Sequence, residues 1–196
     1  MKRTLLAVGL LLCGSALAVN STTAKPSFAD TVWYSNFAAV KANMAKHGYV
    51  YDSALPQKGT NDRLFTGVID NVPVRITMWF NNKDQIVGTS VIFRPPSYPS
   101  KQITIYNTYS TFLDSKYGRG KETDTRQWKD EFLDLRDIAD GKAELSKGWF
   151  FVDSGYLINL QVSTPYVNNK DVYASIEYVS PLYDVEVDRR SKASDF

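Results

Sequence analysis

Residues 72–93 read VPVRITMWFNNKDQIVGTSVIF. From Val72 to Phe80 the side chains alternate. Val72, Val74, Ile76, Met78 and Phe80 fall on one side of an extended chain, and Pro73, Arg75, Thr77 and Trp79 on the other. A period of two with one apolar side is the pattern of a half-buried strand. The tetrad Asn81, Asn82, Lys83, Asp84 follows, and Asn and Asp tolerate the left-handed backbone that a tight hairpin turn requires. Gln85 to Phe93 is then a further strand, closed off by Pro95, Pro96 and Pro99, which cannot donate to a ladder. Upstream, Arg63 to Ile69 is strand-like and Asp70 and Asn71 form a turn, so the segment reads as a meander of three antiparallel strands.

Before the meander lies a helix pattern. Trp33, Phe37, Val40 and Met44 recur at helical spacing between Asp30, a suitable N-cap, and Lys46, and Gly48 stands where a left-handed C-terminal cap belongs. After the meander the order begins again. Ile105, Tyr109, Phe112 and Leu113 mark a second helix ending at Gly118. Strands follow near Trp149 to Val152 and Tyr156 to Tyr166, joined by the turn Asp153, Ser154, Gly155. The tetrad then recurs unchanged as Asn168, Asn169, Lys170, Asp171, ahead of a last strand from Val172 to Val179. Between the second helix and its strands, Trp128, Phe132, Leu135 and Ile138 suit a short inserted helix with Asp130, Asp134 and Asp137 turned outward.

The expected fold class is α+β: two tandem helix plus three-strand units (αβββ) forming antiparallel sheet, with the helices packed on one face. The expected divisions are a signal peptide at 1–18, a linker at 19–29, the first unit at 30–98, the second unit with its inserted helix at 99–183, and a polar tail at 184–196.

The N-terminus carries Lys2 and Arg3, an apolar run from Leu5 to Leu12, and the small-residue pattern Ala16, Leu17, Ala18. That is the make-up of a secretory signal peptide and predicts an exported, periplasmic or secreted product. Cys13 offers a competing reading as a lipid-anchored cysteine, against which stands the bulky Leu12 before it. No later stretch is long and apolar enough for a membrane helix. The formal net charge of the whole chain is +2, and Lys2 and Arg3 account for it, so the remainder is close to neutral. A neutral chain with interspersed signs has no basic field for nucleic acid, which argues against that class of partner.

The single cysteine lies in the leader, so the exported part has neither disulfide nor thiolate metal site. The single histidine, His47, sits at the end of the first helix, where the helix dipole favours a cation; no imidazole is placed for nucleophilic catalysis. Asp130, Glu131, Asp134, Asp137 and Asp140 form the densest acidic set, but Lys129, Arg136 and Lys142 interrupt it in the manner of a solvated helix face. Neither that run nor the repeated turn has calcium-loop spacing. Gly118, Arg119, Gly120, Lys121 lacks the earlier glycine and following hydroxyl of a phosphate loop. No cofactor, metal or catalytic residue is expected.

The second side of the strands is more informative. It carries Arg75, Thr77 and Trp79 in one unit, and Asn159, Gln161 and Ser163 with Tyr173, Ser175 and Glu177 in the other. Large aromatics among adaptable polar groups often anchor protein interfaces. Arg75, Trp79, Asn159, Gln161, Tyr173 and Glu177 are therefore the candidate partner-binding residues.

Two helix-and-meander units behind a signal peptide resemble the architecture of the β-lactamase inhibitory protein-like tandem-repeat envelope proteins of bacteria. The resemblance rests on element order over most of the chain, and implies a rigid sheet whose open face grips a partner protein. The expected function is that of a non-enzymatic exported binding or inhibitor protein contacting another envelope or secreted protein. The alternatives are a carboxylate-dependent envelope hydrolase and a structural or assembly component of the envelope.

Overall fold

A computed structural model describes residues 25–53, 61–95, 101–128, 130–164 and 171–187. Residues 1–24 with Cys13, Pro96 and Pro99, the repeated turn up to Lys170, and residues beyond 187 lie outside the described residues. In order the chain forms α1 (Phe37–Lys46), β1 (Val50–Asp52), β2 (Arg63–Ile69), β3 (Val72–Phe80), β4 (Ile86–Phe93), α2 (Gln102–Tyr117), β5 (Lys121–Asp124), α3 (Glu131–Ala139), β6 (Leu145–Phe151), β7 (Tyr156–Ser163) and β8 (Tyr173–Val179). Residues 183–187, the last described, are helical and are labelled α4.

All eight strands join one open antiparallel sheet in the order β1-β2-β3-β4-β8-β7-β6-β5. This corrects the expectation of two helix plus three-strand units. Each half of the chain supplies four strands, and the halves are fused edge to edge where β4 pairs with β8, from Gly88 opposite Val179 to Ile92 opposite Ser175. The two unforeseen strands, β1 and β5, are the outer edges of the sheet. They are three and four residues long, and β5 is the wholly polar Lys-Glu-Thr-Asp. Short, charged edge strands blunt unwanted pairing, and for the same reason they carry no apolar alternation to read.

The β3 pattern is realised in full. Val74, Ile76, Met78 and Phe80 are buried, while Arg75, Thr77 and Trp79 remain partly accessible. β4, in the middle of the sheet, is buried along its whole length. On the apolar side α2 packs on β7 and β8, α1 on β1, and α3 on β7. The core between them holds Phe65, Ile76, Met78, Phe80, Phe93, Ile158 and Leu160, all at full burial.

The helices differ from their sequence patterns in instructive ways. α1 begins seven residues after Asp30; its N-cap is Asn36, whose side chain accepts from the Ala39 N–H at 3.0 Å. Asp30 has a left-handed backbone (φ 51°), and Trp33 lies outside the helix, its indole N–H donating to the Pro26 carbonyl at 2.8 Å. Gly48 does take the left-handed cap, at φ 80°. In α2, Phe112 points to solvent, and the buried stripe includes Gln102 and Ser110. α3 is capped by Asp130, which accepts from the Leu133 N–H at 2.9 Å. Its orientation corrects the outward placing of Asp134: that residue is buried with Leu135 and Ile138, while Phe132 is exposed.

One ion pair is built into the apolar layer. Lys147 projects from β6 on the helix side, and its ammonium donates to Asp114 Oδ2 at 2.5 Å and Ser110 Oγ at 3.1 Å, both on α2. Lys147 is buried, whereas the Asp114 side chain keeps 30% of its surface exposed. Burial alone would raise the Asp114 carboxyl, but the hydrogen bonds from Lys147 and the Gly120 N–H outweigh it and hold the group below its ordinary value. Removing one partner of a buried pair costs most when the stranded charge cannot reach water. Asp114→Ala is therefore expected to cost about 3 kcal/mol, since it strands the buried ammonium. Lys147→Met is expected to cost about 1 kcal/mol, since the remaining carboxylate is hydrated. A carboxyl with a lowered pKa contributes stability above its unfolded value and loses it as pH falls through the folded one. Urea titrations between neutral and acid pH check both points: the acid loss of stability should be smaller in Lys147→Met than in the parent protein.

Candidate functional site

Residues directly opposite one another on neighbouring strands share a face, so the register defines the surface opposite helices α1–α3. One row crosses all eight strands as Asp52, Leu64, Thr77, Ser90, Glu177, Asn159, Gly148 and Lys121. The next row runs Val50, Thr66, Arg75, Ile92, Ser175, Gln161, Ser146 and Thr123. Both rows are mostly polar and pass through the β4–β8 junction without interruption.

The structure brings all six candidate residues to this face, in different settings. Arg75 and Gln161 lie in the same row on either side of Ile92 and Ser175. Asn159 and Glu177 are direct cross-strand neighbours, and Tyr173 stands opposite Ser163. The centre of the rows is made by the short side chains of Ser90 and Ser175, which are buried, with the longer Arg75, Asn159 and Gln161 beside them partly accessible.

Trp79 and Tyr173 are packed within the chain. The Trp79 ring packs on Tyr183 of α4 at a centroid distance of 5.0 Å. Gly88, opposite Trp79, makes room for this stack; a Cβ there would run into the Trp79 ring and crowd Tyr183. Tyr173 is buried, its hydroxyl donating to Asp171 Oδ2 at 3.4 Å and its ring facing the Arg94 guanidinium at 5.8 Å.

Sequence reasoning missed the apolar members of this face. Val50, Val68 and Phe150 are 66%, 60% and 47% exposed. The register places Val50 beside Thr66, Val68 beside Pro73 and Phe150 beside Leu157, all on the same side as the polar rows. The signal was present in β2 and β6 as apolar residues out of phase with the core positions, but without the register an out-of-phase residue cannot be assigned to a common surface.

Glu177 lies in the middle of the first row, between Ser90 and Asn159. Burial raises its carboxyl above the ordinary value, because a charge taken from water without a cationic partner is disfavoured. No protein-family model matches the chain, and comparisons with curated proteins and with solved structures give no match.

The Glu177 environment has a thermodynamic consequence with a definite sign. A carboxyl whose folded pKa is raised opposes folding once ionised, and this opposition disappears as pH falls through the raised value. Glu177→Gln is therefore expected to be more stable than the parent protein at neutral pH, with the difference closing on acidification. Paired thermal melts across that pH range check it.

Proposed function

We propose that the protein is an exported, non-enzymatic binding or inhibitor protein that holds another envelope or secreted protein against the sheet face opposite α1–α3. The observation that carries this reading is the composition of that face. Two polar rows cross all eight strands and lie among exposed apolar residues, Val50, Val68 and Phe150. Exposed apolar groups beside adaptable polar ones favour protein contact, and a ladder of eight strands supplies a surface that changes shape little on binding. A signal peptide at 1–18 would account for export. Arg75, Asn159, Gln161 and Glu177 form the polar centre of the contact, while Trp79 and Tyr173 set its shape through their internal packing.

The hydrolase alternative needs two acids in one pocket. Glu131 and Asp134 do line a common cleft, but it lies beside α2 and α3 and shares no residue with the two rows of the sheet face.

Site-specific photocrosslinking in the native envelope tests the proposal. A photoreactive residue at Gln161 or Arg75 is expected to give one defined adduct, and the same residue at Thr108, exposed on α2, to give none. With the photoreactive residue at Gln161, the substitution Arg75→Glu should lower recovery of that adduct at least about tenfold, the factor for roughly 1.4 kcal/mol at an interface centre. Equal adducts from Thr108, or none from the sheet face, would overturn the reading.

A further inference from the structure

A cleft of about 320 Å³ lies beside α2 and α3, lined on one side by Thr104 and Asn107 and on the other by Asp124, Arg126, Glu131 and Asp134. Asp124 is opposite Leu145 in the β5–β6 ladder, which turns it toward the helix side of the sheet. Three carboxylates and one guanidinium thus line the same cleft. That guanidinium is already engaged: Arg126 Nε and Nη2 donate to Asp124 at 2.8 and 2.7 Å, and Nη1 stands 3.9 Å from Asp134 Oδ2, beyond hydrogen-bond reach.

Asp134 is 1% exposed. Its Oδ1 accepts from the Trp128 backbone N–H at 3.3 Å, but among the described residues Oδ2 is buried with no hydrogen-bond donor, and so is Oε1 of Glu131. These residues stand three apart in the first turn of α3, a spacing that puts them on one side of the helix. The helix dipole favours acids in that turn. It does not account for sinking one of them out of water with an oxygen unsatisfied, since buried polar groups are as a rule hydrogen-bonded.

A group that would satisfy these two oxygens is a cation made only of donors and small enough for the cleft. A primary ammonium supplies three N–H donors and no acceptor, and its charge complements the carboxylate excess. A bound metal ion fits less well, because among the described residues no three acidic, histidine or cysteine side chains converge in a metal-binding group. We propose that the α2–α3 cleft binds a primary ammonium group on a short alkyl stem, held by Glu131 and Asp134. Free diamines and lysine side chains both present this group.

The test is NMR titration of the purified protein, followed at the Trp128 backbone amide. The probes are cadaverine and a short capped peptide with one lysine; the same peptide with acetyl-lysine, and calcium chloride, are the controls. Saturable shifts with cadaverine alone identify free amines as the ligand, and with the lysine peptide alone, protein lysines. Either result supports the site if Glu131→Gln weakens binding at least about tenfold, the order expected for losing a charge-assisted hydrogen bond, and Asp140→Asn does not. Asp134→Asn should act as Glu131→Gln does; if it fails to fold, the Glu131 variant decides. No saturable shift with either amine, an unchanged affinity in Glu131→Gln, or equal shifts from calcium or the acetylated peptide would overturn the proposal.

Discussion

The β4–β8 ladder is the contact on which the rest of the structure depends. Five residue pairs, from Gly88 and Val179 to Ile92 and Ser175, join two four-stranded halves into one sheet. Without that ladder β4 and β8 would each be an apolar edge. β4 is buried on both sides, and β8 nearly so. Long apolar edges invite association with other chains, and pairing them with each other removes the hazard. The true edges, β1 and β5, are short.

Polar contacts between distant parts of the chain hold the helical layer to this sheet. Gln102, at the start of α2, accepts from the Ala174 N–H of β8 at 2.8 Å. One turn from its end, Asp114 binds Lys147 of β6. α2 is thereby tied at both ends, and the apolar residues between, Ile105, Tyr106 and Leu113, are pressed into the core. On the opposite face, Tyr183 returns the chain after β8 onto Trp79 of β3. This stack links the two halves a second time, next to the ladder.

Residues with a strong local pattern were legible from sequence, and residues whose role depends on a distant partner were not. The alternation of β3 and the capping glycine of α1 followed from nearest neighbours in the chain. The continuous sheet did not, because nothing in 86–93 alone says that its partner is 173–179. The orientation of α3 was misread for a similar reason: Trp128, Phe132, Leu135 and Ile138 form an apolar series, yet the packing selects Asp134, Leu135 and Ile138 as the inner side. The inward Gln102 and Ser110 of α2 are polar, and become intelligible only beside Ala174 and Lys147. At the candidate site the six residues of the second strand face were readable by alternation, whereas Val50, Val68 and Phe150 joined them only through the register. The internal use of Trp79 needed Tyr183, more than a hundred residues away.

One platform with two chemically different sides is the picture that results. The sheet face is broad, polar at its centre and apolar in places toward its margins, a surface suited to a macromolecule. The α2–α3 cleft on the helix side is small and acidic, a site suited to a single charged group. The sheet face requires the halves to behave as one body, and native-state amide hydrogen exchange measures that most directly. Amides of residues 88–92 and 175–179 should be the slowest in the protein and should open together, at the free energy of global unfolding. Separate opening of the two halves, with residues 175–179 exchanging well before 88–92, would contradict the account.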